Sequence, residues 1–277
     1  MTEDEVIRAL YETLLLRAPD AEGLNEKLEA LVTGRENISD VMRRIMSSPE
    51  FTQVYPILLS RYVRQPRFMN DVSQNGEIGL LLTYMINDAA THGIVVDVGA
   101  GGIGGSNSYD LLRVFGWRGL LIEANPALID ALRRDFADFD VQIINCAVSN
   151  YNGTALFYIG VNNDVSSLQQ NAALGWGPIQ GTVDVTVRRL SEILQEYIIP
   201  FDFDLLSLDI EGEDIAVFND LVESGYRPRW VIIEVSFSSA ILGATRTLHD
   251  APFSPQVRDC YALIAQTEPN LILKLRH

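Results

Sequence analysis

The residues of this chain best suited to bind or transform a ligand surround a glycine cluster. An apolar, β-branched run begins at Ile94 and ends in this cluster, which contains Gly99, Gly101 and Gly102. Glycine lets a backbone approach a ligand where a Cβ atom would clash. An amphipathic stretch follows, and then a second apolar run that ends on Glu123. This order of strand, turn, helix, strand and acid predicts the first βαβ unit of a nucleotide-binding sheet.

The positions of these residues indicate an adenosine ligand. The amides that open the helix after the turn would donate hydrogen bonds to it, and the carboxylate of Glu123 would accept both hydroxyls of its ribose. Asn125 is expected near the same ligand and, with Pro126 behind it, at the start of a helix that reaches about Phe136. The cofactor-binding turn itself is expected to consist of Gly99, Ala100, Gly101 and Gly102.

Two adenosine cofactors fit a glycine turn of this kind. Gly99, Gly101 and Gly104 satisfy G-x-G-x-x-G, the fingerprint of NAD-binding proteins. Asp97, however, stands two residues before the first glycine and would repel a pyrophosphate. S-adenosylmethionine carries an ammonium and a sulfonium instead of phosphates, so the sequence favours it over NAD. We expect Asp97 either to order the glycine turn or to meet the ammonium of the methionine.

Eight short motifs, taken in order, make the chain similar to a known family from about Asp71 to the C-terminus. Together they resemble the FkbM family of S-adenosylmethionine-dependent methyltransferases. Where the family often has Lys and Thr, this chain has Ser207 and Ser108, and neither position is expected to touch the cofactor loop. The motifs are S-Q-N-G-E from Ser73, S-N from Ser106, G-W-R-G from Gly116, I-E-A-N-P from Ile122, N-C-A-V-S from Asn145, S-S-L from Ser166, L-L-S-L-D-I-E-G-E-D from Leu205 and R-W-V-I-I-E-V from Arg229.

The predicted fold is a Rossmann-like class I methyltransferase sheet of the α/β class. Strand and helix patterns alternate after Glu123, and Val141–Val148 is predicted as the third strand. Two apolar runs joined by Q-T-E-P-N at the C-terminus predict a hairpin. An antiparallel last strand beside an otherwise parallel sheet is typical of these methyltransferases and not of dehydrogenases.

The N-terminal segment has a different pattern. Residues 1–51 contain three apolar stripes at helical spacing, residues 52–70 form a linker with Pro56 and Pro66, and residues 71–277 form the methyltransferase domain. The wording L-L-R-A-P-D-A-E-G-L, followed by S-S-P-E-F, resembles a small helical module related to phycobilisome-linker repeats. Such a module could cover the catalytic domain or dock the enzyme to a glycan or a partner.

Catalytic side chains are expected at the carboxyl ends of the strands, where sheets of this type bind ligands. Asp209 and Glu234 follow the predicted fourth and fifth strands, and neighbouring strands lie about 4.8 Å apart. With Glu211 they could bind Mg²⁺, as in methyltransferases that act on catechols and some macrolide sugars. Those enzymes have a second acid or amide after the fifth-strand acid, whereas Val235 follows here, so the metal-free route is favoured. Asp209, Glu234 and His249 are the candidates for the base.

The end of the third strand is expected to contact the adenine. Cys146 and Ala147 lie there and would provide apolar contact and backbone hydrogen bonds. Asn145 and Ser167 are weaker candidates for the same site. Cys146 and Cys260 are the two cysteines of the chain, each in an apolar run, which indicates reduced core thiols rather than a disulfide or a metal site.

Composition limits the classes of partner. The formal net charge is −16, and so acidic a surface repels DNA and RNA. No apolar run approaches the roughly 20 residues of a membrane span, and the acidic start M-T-E-D-E is unlike a signal peptide. We therefore expect a cytoplasmic protein with a small-molecule or glycan acceptor and no nucleic-acid partner. A homo-oligomer remains open.

The family resemblance implies a methyltransferase that uses S-adenosylmethionine and acts on a hydroxyl of a sugar, a glycan or a secondary metabolite. Two other functions stay open at this point. One is an NAD(P)-dependent oxidoreductase on the same type of sheet. The other is a non-catalytic, methyltransferase-like scaffold, against which the intact D-x-G-x-G turn and Glu123 argue.

Overall fold

The computed structural model describes residues 2–51, 54, 71–85, 93–161, 166–175, 177–235, 247–267 and 269–276. The chain divides into two compact units, Met1–Phe68 and Met69–His277. Each unit has its own cluster of buried apolar side chains. The predicted linker over 52–70 lies outside the described residues except for residue 54.

The first unit contains the three predicted helices. Their start points follow from capping side chains: Thr2 and Asn37 each form a capping box, and the Asp20 carboxylate accepts the Gly23 N–H at 2.7 Å. Six buried apolar side chains form a small core in this unit: Ile7, Tyr11, Leu15, Val41, Ile45 and Phe51. The helices are α1 (Glu3–Leu14), α2 (Ala21–Val32) and α3 (Ile38–Met46).

Arg17 connects the two sequence motifs of this unit, R-A-P-D and S-P-E-F. The guanidinium of Arg17 donates to both oxygens of Glu50 and to the carbonyl of Ala18 at 2.9 Å. Arg17 and Lys27 both lie over the ring of Tyr11, at 5.3 and 5.5 Å from its centre. The R-A-P-D and S-P-E-F motifs are therefore joined in space. The likeness to phycobilisome-linker modules stays a prediction.

The second unit is built on a seven-stranded sheet in the order β3-β2-β1-β7-β8-β10-β9. Neighbours from β3 to β8 pair in parallel, whereas β10 pairs antiparallel with both β8 and β9. The mixed α/β class and the antiparallel C-terminal hairpin are thereby confirmed. The strands are β1 (Ile94–Val98), β2 (Arg118–Glu123), β3 (Val141–Asn145), β4 (Ala147–Ser149), β5 (Gly153–Ile159), β6 (Gly181–Arg189), β7 (Leu205–Leu208), β8 (Trp230–Glu234), β9 (Tyr261–Gln266) and β10 (Asn270–Leu275).

Helices cover both faces of this sheet. Alternate strand residues point into two apolar clusters, one with Val96 and Leu206 and the other with Val95 and Leu205. None of the helices in the described part of the chain is long and apolar enough to cross a membrane. The helices of this unit are α4 (Glu77–Met85), α5 (Tyr109–Phe115), α6 (Ile129–Asp135), α7 (Gln170–Gly175), α8 (Leu190–Glu196), α9 (Asp214–Glu223) and α10 (Pro255–Cys260).

Two predicted boundaries were wrong. The predicted third strand divides at Cys146, because Ala147–Ser149 leaves the main sheet and pairs with β6 in a three-stranded sheet of order β4-β6-β5. The helix predicted from Pro126 begins only at Ile129. The side chain and carbonyl of Asn125 accept the Ala127 and Leu128 N–H groups at 3.0 and 3.1 Å, which closes a turn first.

Because each unit has its own core, the second unit should fold without the first. A chain that begins at Met69 is expected to melt in one cooperative calorimetric transition, at a temperature within about 5 °C of a transition of the full chain. A truncated protein that binds hydrophobic dyes and lacks a cooperative transition would contradict this division of the chain.

Candidate functional site

The site begins where β1 and β7 end side by side. Gly99 has φ +86°, a left-handed conformation that favours glycine, and a Cβ atom at this position would lie 1.8 Å from the carbonyl oxygen of Asp209. The N–H groups of Gly99 and Ala100 donate to the carbonyl of Ile122 at 2.9 and 3.2 Å. This glycine therefore allows the turn after β1 to touch the backbone after β7.

The glycine turn does not have the geometry of an NAD fingerprint. In that fingerprint the third glycine permits close packing of helix on strand, but Gly104 has an ordinary φ and no atom within 4 Å of its Cβ position. The helix α5 starts only at Tyr109, and the donation of its first amides to a ligand stays a prediction. The Ser106 hydroxyl accepts the N–H groups of Ser108 and Tyr109 at 3.1 and 3.0 Å.

Glu123 is buried at the end of β2 and held by backbone amides. Its two carboxylate oxygens accept the N–H groups of Gly101 at 3.0 Å and of Asn125 at 2.6 Å. Burial raises the pKa of Glu123, and these hydrogen bonds oppose the shift. The Ala124 N–H also contributes a hydrogen bond to this carboxylate, which has about four lone-pair sites in all, so Glu123 keeps acceptor capacity for a ligand.

Asp97 is buried in β1, two residues before Gly99. Its carboxylate accepts the Ser108 hydroxyl at 2.6 Å and also interacts with the Ser207 hydroxyl. Burial raises the pKa of Asp97, and these two hydroxyls partly offset it. The two positions where the sequence departs from the family pattern, Ser108 and Ser207, therefore both contact Asp97.

A pocket opens above the turn between β2, β7 and the small sheet. Its empty space, with the open mouth included, is about 560 Å³. Cys146 and Ala147 line it as predicted. Burial raises the pKa of Cys146 to about 11, so its thiol is uncharged near neutral pH and lines the pocket as a neutral group. The lining is completed by Val98, Gly99, Gly101, Ile122, Glu123, Ala124, Val148, Phe157, Ser166, Leu168, Asp209, Ile210, Glu211 and Glu213.

Three carboxylates converge beside this pocket. Asp209, Glu211 and Glu234 each offer an oxygen within 4.8 Å of the others. Burial raises the pKa of Asp209 well above its usual range, and the carboxylates of Glu234, Asp214 and Asp97 raise it further. A side-chain hydrogen bond with Glu234 also raises the pKa of Asp209. An all-oxygen set at this spacing is also suited to a divalent cation.

The loop that carries Glu211 is held in a strained shape. Glu211 has φ +56°, which is unusual for a residue other than glycine. Its carbonyl accepts the Ser167 hydroxyl at 2.7 Å, and the Asp214 carboxylate accepts the N–H groups of Ile210 and Gly212, both at 2.9 Å. Sequence reasoning missed the role of Asp214, whose only signal was an acid in the first turn of α9.

The remaining sequence candidates lie in less direct positions. His249 is exposed and is not among the residues that line the pocket. The side-chain amide of Asn145 donates hydrogen bonds to the carbonyls of Glu123 and Ala124 at 2.8 and 3.2 Å. Asn145 therefore holds the backbone at the end of β2 in place. Glu213, not Glu211, occupies the N-cap position of α9, and it makes no capping hydrogen bond.

A family model described as the methyltransferase FkbM domain matches residues 97–254, more than half of the chain. The chain belongs to the FkbM methyltransferase family. The matched range contains the glycine turn, Glu123 and all three converging carboxylates. The site described above is therefore the site of a methyltransferase domain.

Two solved structures are similar to this FkbM chain. The METTL16 MTase domain (crystal form 2) has 12% sequence identity and a TM-score of 0.41, and the alignment covers 83% of this chain and 81% of that chain. The SAH-bound Podospora anserina methyltransferase PaMTH1 has 10% identity and a TM-score of 0.38, with 94% and 99% coverage. No curated protein sequence matches the chain.

The close approach at Gly99 gives a direct prediction. Gly99→Ala should lower the free energy of unfolding by about 1–3 kcal/mol, because the methyl group forces the turn away from the Asp209 carbonyl. The matched control is Gly104→Ala, which enters open space and should change it by less than about 0.5 kcal/mol. Urea titration of both variants measures this, and equal stabilities would contradict the predicted contact.

Proposed function

We propose that this FkbM protein is an S-adenosylmethionine-dependent O-methyltransferase whose acceptor is a hydroxyl of a sugar, a glycan or a secondary metabolite. One observation supports it above the others. The buried carboxylate of Glu123, which we assign to the ribose, lies on one side of the glycine turn, and the hydrogen-bonded acids Asp209 and Glu234 lie on the other. The proposed cofactor site at Glu123 is thus next to the proposed proton-accepting site at Asp209 and Glu234.

The residues present fit the proposed cofactor. Glu123 has acceptor capacity left for the ribose hydroxyls, and the buried Nδ2 of Asn125 has no hydrogen-bond partner among the described residues, so it can donate. None of the described residues that line the pocket is Lys or Arg, which suits a cationic ligand better than a pyrophosphate. When bound, S-adenosylmethionine supplies a methyl group on a sulfonium. Cys146 and Ala147 would flank its adenine, and the backbone of residues 99–102 would approach its remaining part.

The acid pair can take the proton that the acceptor must lose. Methyl transfer to a hydroxyl needs alignment and deprotonation of that hydroxyl. Asp209 lines the pocket and is partly exposed, whereas Glu234 lies deeper. We assign Asp209 as the base, with Glu234 holding its orientation through their shared hydrogen bond. His249 is the alternative base.

The two other functions are less well supported. An NAD(P)-dependent oxidoreductase would need a phosphate-binding turn, yet no atom lies within 4 Å of the Cβ position of Gly104, and the acid Asp97 stands two residues before Gly99. A non-catalytic scaffold would not need a partly exposed acid, Asp209, hydrogen-bonded to a buried one, Glu234, at the edge of a pocket. We also propose the helical domain over 1–51, the linker over 52–70 and the catalytic domain over 71–277 as the functional division of the chain.

The ribose assignment is tested by Glu123→Ala. This variant should bind S-adenosylhomocysteine more weakly by about 1.5–3 kcal/mol, because charged hydrogen bonds to the ribose are lost. Isothermal titration calorimetry gives the value, and Glu223→Ala, which removes an exposed glutamate, is the control. Wild-type affinity in Glu123→Ala would refute the assignment.

The base assignment is tested by Asp209→Asn. With labelled S-adenosylmethionine and a panel of glycosides, this variant should keep its affinity for S-adenosylhomocysteine and lose at least about 100-fold in kcat. Asp138→Asn, which alters an exposed aspartate, should retain wild-type kcat. Full activity in Asp209→Asn would exclude this residue from the chemistry.

The same assignment predicts the pH and metal dependence. A base acts when ionised, so activity is present above its pKa and lost below it; since burial and neighbouring acids raise the pKa of Asp209, the loss should occur at a higher pH than for an ordinary aspartate. EDTA should leave the rate unchanged. A rate abolished by EDTA and restored by Mg²⁺ would instead show that Asp209, Glu211 and Glu234 bind the ion.

A further inference from the structure

The S-Q-N-G-E motif belongs to a segment, residues 71–77, that is hydrogen-bonded to Gly105 and Asp110, which follow the glycine turn. The Val72 N–H donates to the carboxylate of Asp110 at 3.0 Å, and the Val72 carbonyl accepts the Gly105 N–H at 2.8 Å. Ser73 and Gly105 form an isolated parallel bridge. This end of the segment is therefore fixed beside the loop that follows β1.

The other end of the segment is fixed to the C-terminal hairpin. The fully buried carboxylate of Glu77 accepts hydrogen bonds from Asn270 and Thr267, both at 2.9 Å, and from the Asn75 N–H at 2.8 Å. Burial opposes ionisation of Glu77, but these hydrogen bonds outweigh it and lower the pKa. Asn270 is the first residue of β10 and the register partner of Glu234.

The order of strands in the sheet indicates which strand ends lie beside residues 71–77. Between the loop after β1 and the start of β10 lie the carboxyl ends of β7 and β8, where Asp209 and Glu234 meet. The segment therefore crosses the carboxyl edge of the sheet next to the acid pair. Between its two fastened ends, the side chains of Gln74 and Asn75 are exposed.

The chemistry of this edge selects one class of acceptor. Ionised carboxylates only accept hydrogen bonds, whereas a carboxamide both donates and accepts, as a hydroxyl group does. Six acids stand around the site, and the described residues that line the pocket include no Lys or Arg, so an anionic acceptor would be repelled. The six acids are Asp97, Glu123, Asp209, Glu211, Glu213 and Glu234.

We propose that residues 71–77 form one wall of the acceptor site, and that Gln74 and Asn75 bind the hydroxyl groups of an uncharged polyhydroxy acceptor. This inference rests on the proposed function and narrows it. It excludes phosphorylated and nucleotide-activated sugars as preferred substrates. Glu77 is a positioning residue in this scheme, because it holds the segment and Asn270 beside Glu234 without reaching the acceptor.

The test compares methyl transfer from labelled S-adenosylmethionine to neutral methyl glycosides and oligosaccharides with transfer to their phosphate esters and nucleotide-activated forms. The wild-type protein should use neutral members and disfavour the anionic ones by at least about 100-fold in kcat/KM. Gln74→Ala and Asn75→Ala should each raise the KM for the acceptor by about tenfold, with kcat within about twofold. Their affinity for S-adenosylhomocysteine and their Tm should stay at wild-type values.

Gln142→Ala is the matched control, since Gln142 is an exposed carboxamide on β3, away from the carboxyl edge. Wild-type kinetics in both segment variants, or an equal loss of S-adenosylhomocysteine affinity, would overturn the role of Gln74 and Asn75 alone. Preference for the phosphorylated members would overturn the acceptor class. If the wild-type protein transferred a methyl group to none of these compounds, the proposed function would be refuted, and this inference with it.

Discussion

The dominant constraint on this protein is the cost of burying several carboxylates at one edge of a sheet. A buried acid is tolerated only when hydrogen bonds, a proton or a cation compensate for lost hydration. Here neutral groups compensate most of them: serine hydroxyls for Asp97, backbone N–H groups for Glu123 and Asp214, and side-chain amide and hydroxyl groups for Glu77. The compensating groups come from the segment after β1, the loops after β2 and β7, Ser207 on β7 and the C-terminal hairpin, so the acids link these elements to one another.

The exception to this compensation is also the centre of the proposed chemistry. Asp209 and Glu234 are hydrogen-bonded to each other instead of to neutral groups, and this contact raises the pKa of Asp209. Such a pair is poised to exchange a proton with a ligand, whereas Glu123, held by two amides, is suited to binding. The different surroundings of chemically similar groups thus separate binding from catalysis within one site.

Much of this arrangement could be predicted from the sequence. Glycines, apolar runs and terminal acids identify β1, β2 and the binding turn, because these are local patterns with a period of their own. The departure of the chain from the sheet at Cys146 could not be predicted, since one apolar run continues through both β3 and β4 and only pairing with β6 separates them. The contacts of Ser108 and Ser207 with Asp97 likewise join residues far apart in sequence. The same holds for Glu77 and Asn270.

The central claim is that the glycine turn and Glu123 bind S-adenosylmethionine rather than a dinucleotide. Calorimetric titration of the purified full-length chain with S-adenosylhomocysteine and, separately, with NADH tests this claim most directly. The account predicts saturable binding of S-adenosylhomocysteine at one site per chain, with a Kd on the order of micromolar, and no measurable heat of binding with NADH. Saturable binding of NADH without binding of S-adenosylhomocysteine would contradict it.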